Sequence, residues 1–223
     1  MSHVSRAWFA LGCAMLVMLV MLVMLAMLAP LAPLALAAQD ARVDARLDAR
    51  LDAHTRDAVV ALIDSARADG IPSEPLVQKA LEGASKRADG ARILVAVRML
   101  NRELGDARAA LGAASSDAEI IAGASALHAG IAPAALARMR ASRAHGSLTV
   151  ALAVLSDLIA RGVPGDTATT VISALTVAGA QDAELVKFQQ GVERDIAQGA
   201  TPSAALGVRA QGAFPIAAPR RTP

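Results

Sequence analysis

The residues that could carry chemistry in this 223-residue chain are few and scattered. Beyond residue 38 the histidines are His54, His128 and His145, each in a separate segment. Metal binding or acid–base work asks for imidazoles a helical turn apart, or for one imidazole oriented by a carboxylate. No HExxH, CxxC, GxGxxG or Walker glycine loop occurs, so no motif requires a metal or a cofactor. Gly123-Ala124-Ser125-Ala126 opens like a nucleophile elbow, but Leu127 stands where the second glycine belongs. The surrounding pattern is helical, and the expectation is a small-residue packing face. Cys13 is the only cysteine, and its apolar core follows it, the reverse of a lipoprotein signal. Removal of the leader would leave no thiol or disulfide chemistry. His128 precedes Gly130, where an imidazole complements a helix C-terminus, while Asp117 and Glu119 suit a helix start.

One cluster singles itself out. Arg138, Arg140, Arg143 and His145 fall within eight residues with no acidic side chain between them. Helical spacing puts Arg140 and Arg143 on one face and Arg138 on another. The cluster reads either as cations complementing a helix C-terminus or as a contact for an acidic protein or an anionic envelope polymer.

Composition limits the alternatives. The 22 Lys and Arg residues nearly balance the 20 Asp and Glu, and beyond residue 38 the only aromatics are Phe188 and Phe214. A nucleic-acid partner is not expected, because cationic excess and stacking rings are both missing. Aliphatic side chains must supply the core.

Met1 to Ala38 reads as a leader: Arg6 near the start, unbroken apolar sequence from Trp8 to Ala29, then Ala35-Leu36-Ala37 as a cleavage site. The expected mature chain begins at Ala38 or Gln39. An uncleaved membrane anchor is the alternative, since the apolar run is long enough to cross a bilayer. Either way the remainder is expected outside the cytoplasm, touching membrane only through this segment. Residues 39–54 repeat a four-residue unit that stacks Asp44, Asp48 and Asp52 in one ladder and Arg42, Arg46 and Arg50 in another. Like charges four apart do not support a helix, so this is a solvated spacer or an exposed helical extension.

From residue 55 to 211 the spacing predicts helices only. Ser147 to Gly179 is the clearest unit: Ser147 as N-cap, then Leu148, Leu152, Leu155 and Ile159 at spacings of four, three and four. Gly162-Val163-Pro164 forms a stop, and Asp166 caps a second helix carrying Ala168, Val171, Ile172 and Leu175, with Thr176 facing water. The same stop recurs at Gly70, Gly130 and Gly199. Ser116 and Glu119 match a capping box for a helix bearing Ile120, Ile121, Ala124 and Leu127. Ile93, Val97, Leu100 and Leu104 point inward from the longest helix, with Arg98, Asn101 and Arg102 outward. Residues 212–223 read as a disordered tail.

The fold class is therefore all-α: an array of helical hairpins, either α-solenoid-like or an irregular orthogonal bundle. The signature residues of tetratricopeptide and ankyrin units are not present. In its alanine-rich, aromatic-poor composition the chain resembles uncharacterised exported alanine-rich helical proteins of GC-rich bacteria, a resemblance that implies export and no activity. Two function classes follow. One is a non-catalytic exported protein presenting a surface for protein or envelope interaction. The other is an exported enzyme assembled from distant residues, for instance His128 with Asp157 or Glu119.

Overall fold

The computed structural model describes residues 45–143 and 146–213. The leader, most of the charged ladder, His145 and the tail beyond residue 213 lie outside the described residues. The chain forms two units, Met1–Leu51 and Asp52–Pro223. In the first, residues 45–48 make one helical turn, and the Leu47 carbonyl accepts from the N–H groups of Arg50 and Leu51 at 3.0 and 2.9 Å.

The second unit is all-α. Its helices are α1 (Ala53–Ala68), α2 (Glu74–Ser85), α3 (Gly90–Leu111), α4 (Asp117–His128), α5 (Pro133–Ser142), α6 (Thr149–Ala160), α7 (Gly165–Val177), α8 (Asp182–Ala197) and α9 (Pro202–Ala213). Asp52, the last aspartate of the repeat, ends the ladder by turning extended and capping α1, its carboxylate accepting from the Thr55 N–H at 3.0 Å. At the other end α9 continues through Gly212 and Ala213, residues the sequence assigned to the tail.

The stops form by one mechanism. Gly70, Gly130, Gly162, Gly179 and Gly199 all have φ between +68° and +99°. The next residue's N–H reaches back to the carbonyl five positions earlier: Ile71 to Ala66 at 2.8 Å, Ile131 to Ala126 at 3.0 Å, Val163 to Leu158 at 3.1 Å. Ile71, Ile131 and Val163 are themselves buried, so each turn is hydrogen-bonded and also pinned to the core. The end of α2 uses the same geometry without glycine: Arg87 has φ +55°, and Ala88 N–H bonds Gly83 O at 3.0 Å.

Helix starts depart further from expectation. Ser147 does not cap α6; the helix begins at Thr149, and Ser147 Oγ accepts from the Thr149 N–H at 3.2 Å. Asp166 lies inside the first turn of α7, whose N-cap is Pro164. Thr176 is buried rather than solvated, its hydroxyl donating to the Ile172 carbonyl at 2.8 Å, which satisfies it without water. The Ser116–Glu119 capping box forms as expected.

Packing runs between near neighbours. α3 lies against α1, α2, α4 and α5; α6 against α4, α7 and α8; α7 also against α5 and α9; α8 against α9. Substantial packing always joins helices one or two apart in sequence. A continuous aliphatic core extends from Leu111 through Leu136, Leu152, Leu155, Ile172 and Val192 to Leu206. Close approach depends on small residues: a Cβ on Gly123 would lie 2.8 Å from Leu111, 3.1 Å from Ala107 Cβ and 3.3 Å from Leu136. Gly123, Ala124 and Ala126 are thus buried packing residues, as their sequence context implied, whereas Ser125 is exposed.

Candidate interaction groove

The arginine cluster separates into three environments. Arg138 is exposed on α5. Arg140 turns inward: its guanidinium pairs with Glu119 and donates through Nη1 to the carbonyls of Arg143 and Gly146 at 3.2 and 3.0 Å. Arg143 is half-buried, with Nη1 shielded from solvent, and His145 lies outside the described residues. The two arginines that share a face therefore face the protein. Arg140 serves to tie the α5–α6 connection to α4.

Glu119 is the centre of that tie. Its carboxylate accepts from Ser116 N–H at 3.1 Å and, across 29 positions, from Leu148 N–H at 2.8 Å. Burial pushes this carboxyl up, but the Leu148 and Ser116 N–H groups and the Arg140 guanidinium outweigh it and hold it below its ordinary value. A carboxylate that accepts three hydrogen bonds and is held ionised is poorly suited to moving protons.

The remaining polar candidates are likewise held apart. His128 Nδ1 contacts Glu103 at 3.0 Å, with the imidazole largely exposed, and not Glu119 or Asp157. Asp157 accepts from Gln189 at 3.0 Å. Ser125 is exposed, and its hydroxyl donates to the Ile121 carbonyl at 3.1 Å. Among the described residues no three His, Cys, Asp or Glu side chains converge to hold a metal ion, and no helix is long and apolar enough to cross a membrane.

What the surface does offer is a groove of about 340 Å³ across α2, α3 and α4. Ala96, Met99, Leu100 and Glu103 of α3 line one side, at i, i+3, i+4 and i+7. Ile121, Ala124, Ser125 and His128 of α4 line the other at the same spacing, and Pro75 and Lys79 of α2 close it. Met99 and Ile121 keep 44% and 39% of their surface in solvent, and Val95, one turn before Met99, keeps 61%. Ile121 and Leu100, expected in the core, instead build this face. Both carry the helical period, but period alone does not say whether the face they complete is covered by a neighbour. Sequence reasoning overlooked the groove for that reason.

The groove follows from the packing order. Every other pair of helices two apart from α1 to α9 packs directly, whereas α2 and α4 do not share that packing. They splay over α3 and leave its aliphatic side chains uncovered. No protein-family model, curated protein or solved structure matches the chain.

Proposed function

We propose that this is an exported, non-catalytic helical protein whose α2–α4 groove is a binding surface for another protein. The observation that supports the reading is the exposure of Val95, Met99 and Ile121 around one aliphatic cleft. Exposed large apolar residues gathered in one cleft are a feature of interaction sites. Export rests on the Met1–Ala38 pattern. The helix array is read as solenoid-like because each helix packs substantially only on those one or two positions away. In native-state hydrogen exchange, protection should then fall from the central helices toward both ends.

The test of function is photo-crosslinking in the producing cell from a probe amino acid at Met99, with a probe at Arg138 as control. Protein adducts specific to Met99 are expected. Equal adducts from both positions, or none from Met99 in folded protein, would overturn the reading.

A further inference from the structure

Both long walls of the groove carry the same helical stripe, and each spans about two turns. Three of the lining residues, Ala96, Ala124 and Ser125, have short side chains. Short side chains on two neighbouring helices let a third backbone approach closely, at about 8–10 Å between axes. The splaying of α2 and α4 therefore leaves a seat shaped like those the other helices fill. A flat apolar patch would take many chains. A cleft walled by helical ridges favours a helix, whose own ridges at i, i+3, i+4 and i+7 interdigitate with them.

Charge selects further. On α3 the outer flank of Met99 carries Arg98 and Arg102, both exposed and without an ion pair among the described residues, against one carboxylate, Asp106. Lys79 and Glu103 line the cleft itself; Lys79 pairs at 2.9 Å with Glu82, which it shares with Lys86, and Glu103 contacts the His128 imidazole at 3.0 Å. The unpaired charge on that flank of α3 is thus two arginines against one aspartate.

Building on the groove as a binding surface, we propose that its occupant is a two-turn amphipathic helix of a partner protein, with an aliphatic stripe seated over Ala96 and Ala124 and acidic residues toward Arg98 and Arg102. The apolar contacts set affinity, and the arginines set orientation and the rate of encounter.

The test uses defined probes on the full-length chain with its Met, Ile and Val methyl groups isotope-labelled. One peptide is helix-stapled, with leucines at i, i+3, i+4 and i+7 and glutamates on one flank. A second has lysines for glutamates, and a third has a central proline. The expected result is that the acidic peptide shifts the Met99 and Ile121 methyls and leaves Val186 and Val208 unmoved. Its affinity should fall at least tenfold for the lysine and proline peptides, and at least tenfold in Ile121→Glu, a change at a half-exposed position whose fold is checked by circular dichroism. Equal binding of the proline peptide would overturn the helix while leaving the groove as an interaction surface. Dodecanoate shifting the same methyls when no peptide does would make the groove an acyl-chain site. Self-association lost on Ile121→Glu would make the occupant a second copy of this chain. No shift of Met99 or Ile121 by any probe would overturn the proposal, and the crosslinking from Met99 would then decide separately whether the surface binds protein at all.

Discussion

The guanidinium of Arg140 rests against the carboxylate of Glu119, and the same carboxylate oxygen accepts the backbone N–H of Leu148. One oxygen therefore joins the last turn of α5 to the residue that leads into α6, while the other oxygen closes the cap of α4 on Ser116. The start of α6 thus has the Leu148 N–H satisfied by a side chain from a different helix, beside the Thr149 N–H that bonds Ser147 Oγ.

Glu119→Gln should accordingly destabilise out of proportion to its size. The amide keeps the shape but loses the charge facing Arg140, and its NH₂ cannot accept where the carboxylate accepted. A loss of about 2–3 kcal/mol in unfolding free energy is expected by urea denaturation. A change below about 0.5 kcal/mol would show that the Arg140–Glu119–Leu148 connection is not holding the fold.

The same group should give the protein a defined acid limb. Glu119, Glu82, Asp52 and Asp195 all have carboxyls held below their ordinary values, Glu82 at about 2 through the ammonium groups of Lys86 and Lys79. A depressed carboxyl adds stability that is complete above the unfolded value, 4.5 for glutamate, and is lost as pH falls through the folded one. Glu82 is exposed and its pairs are screened by solvent, so most of the loss should come from Glu119. Melting temperatures measured downward from pH 5 should fall, and more shallowly in Glu119→Gln. Parallel acid limbs for the two proteins would assign the loss elsewhere.

These relationships mark the limit of what the chain discloses by itself. The stops at Gly70, Gly130, Gly162 and Gly199 and the Ser116–Glu119 box were legible because their chemistry is local: glycine accepts positive φ, and a capping box lies within four residues. The seat of Arg140 was not legible, because an arginine at a helix end looks the same whether it meets solvent or a carboxylate 21 positions back. Nor was Gly90, where a Cβ would come within 1.9 Å of Thr55 Oγ1 in a helix far off in sequence. The burial of Thr176 is not legible either, because hydroxyl character suggests water, whereas bonding to the Ile172 carbonyl frees it for burial. The groove escaped for a related reason: Ile121 and Leu100 announce a face, and only the spacing of α2 and α4 decides that it stays open.

Gly123 offers a direct measure of how tightly α3, α4 and α5 meet. Helix propensity favours Gly→Ala by about 1 kcal/mol. Here the new methyl would stand 3.1 Å from Ala107 Cβ, which is fixed to the α3 backbone, and 2.8 Å from Leu111. Gly123→Leu, too large for any local adjustment, should cost at least about 3 kcal/mol or prevent folding, and Gly123→Ala should forfeit its propensity gain. Chemical denaturation of the alanine variant showing a full 1 kcal/mol gain would mean that the helices can move apart at little cost.

The helix ends supply a paired prediction with opposite signs. Gly162 holds φ +89°, and an added Cβ there would touch Pro202 at 3.4 Å. Gly162→Val should therefore cost more than the roughly 1 kcal/mol that separates glycine from alanine in such conformations, because a β-branched residue resists positive φ most strongly. Arg87 occupies the equivalent place after α2 at φ +55°, with the same hydrogen bond from the following N–H, but bears the strain of a side chain in that region. Arg87→Gly removes that strain, and against it stands only the extra backbone freedom glycine gains in the unfolded chain. Because Arg87 is exposed, little packing is lost. The net result should be stabilisation by about 0.5–1 kcal/mol, read as a rise in melting temperature. A fall on Arg87→Gly together with tolerance of Gly162→Val would show that the left-handed ends of α2 and α6 are not what sets their length.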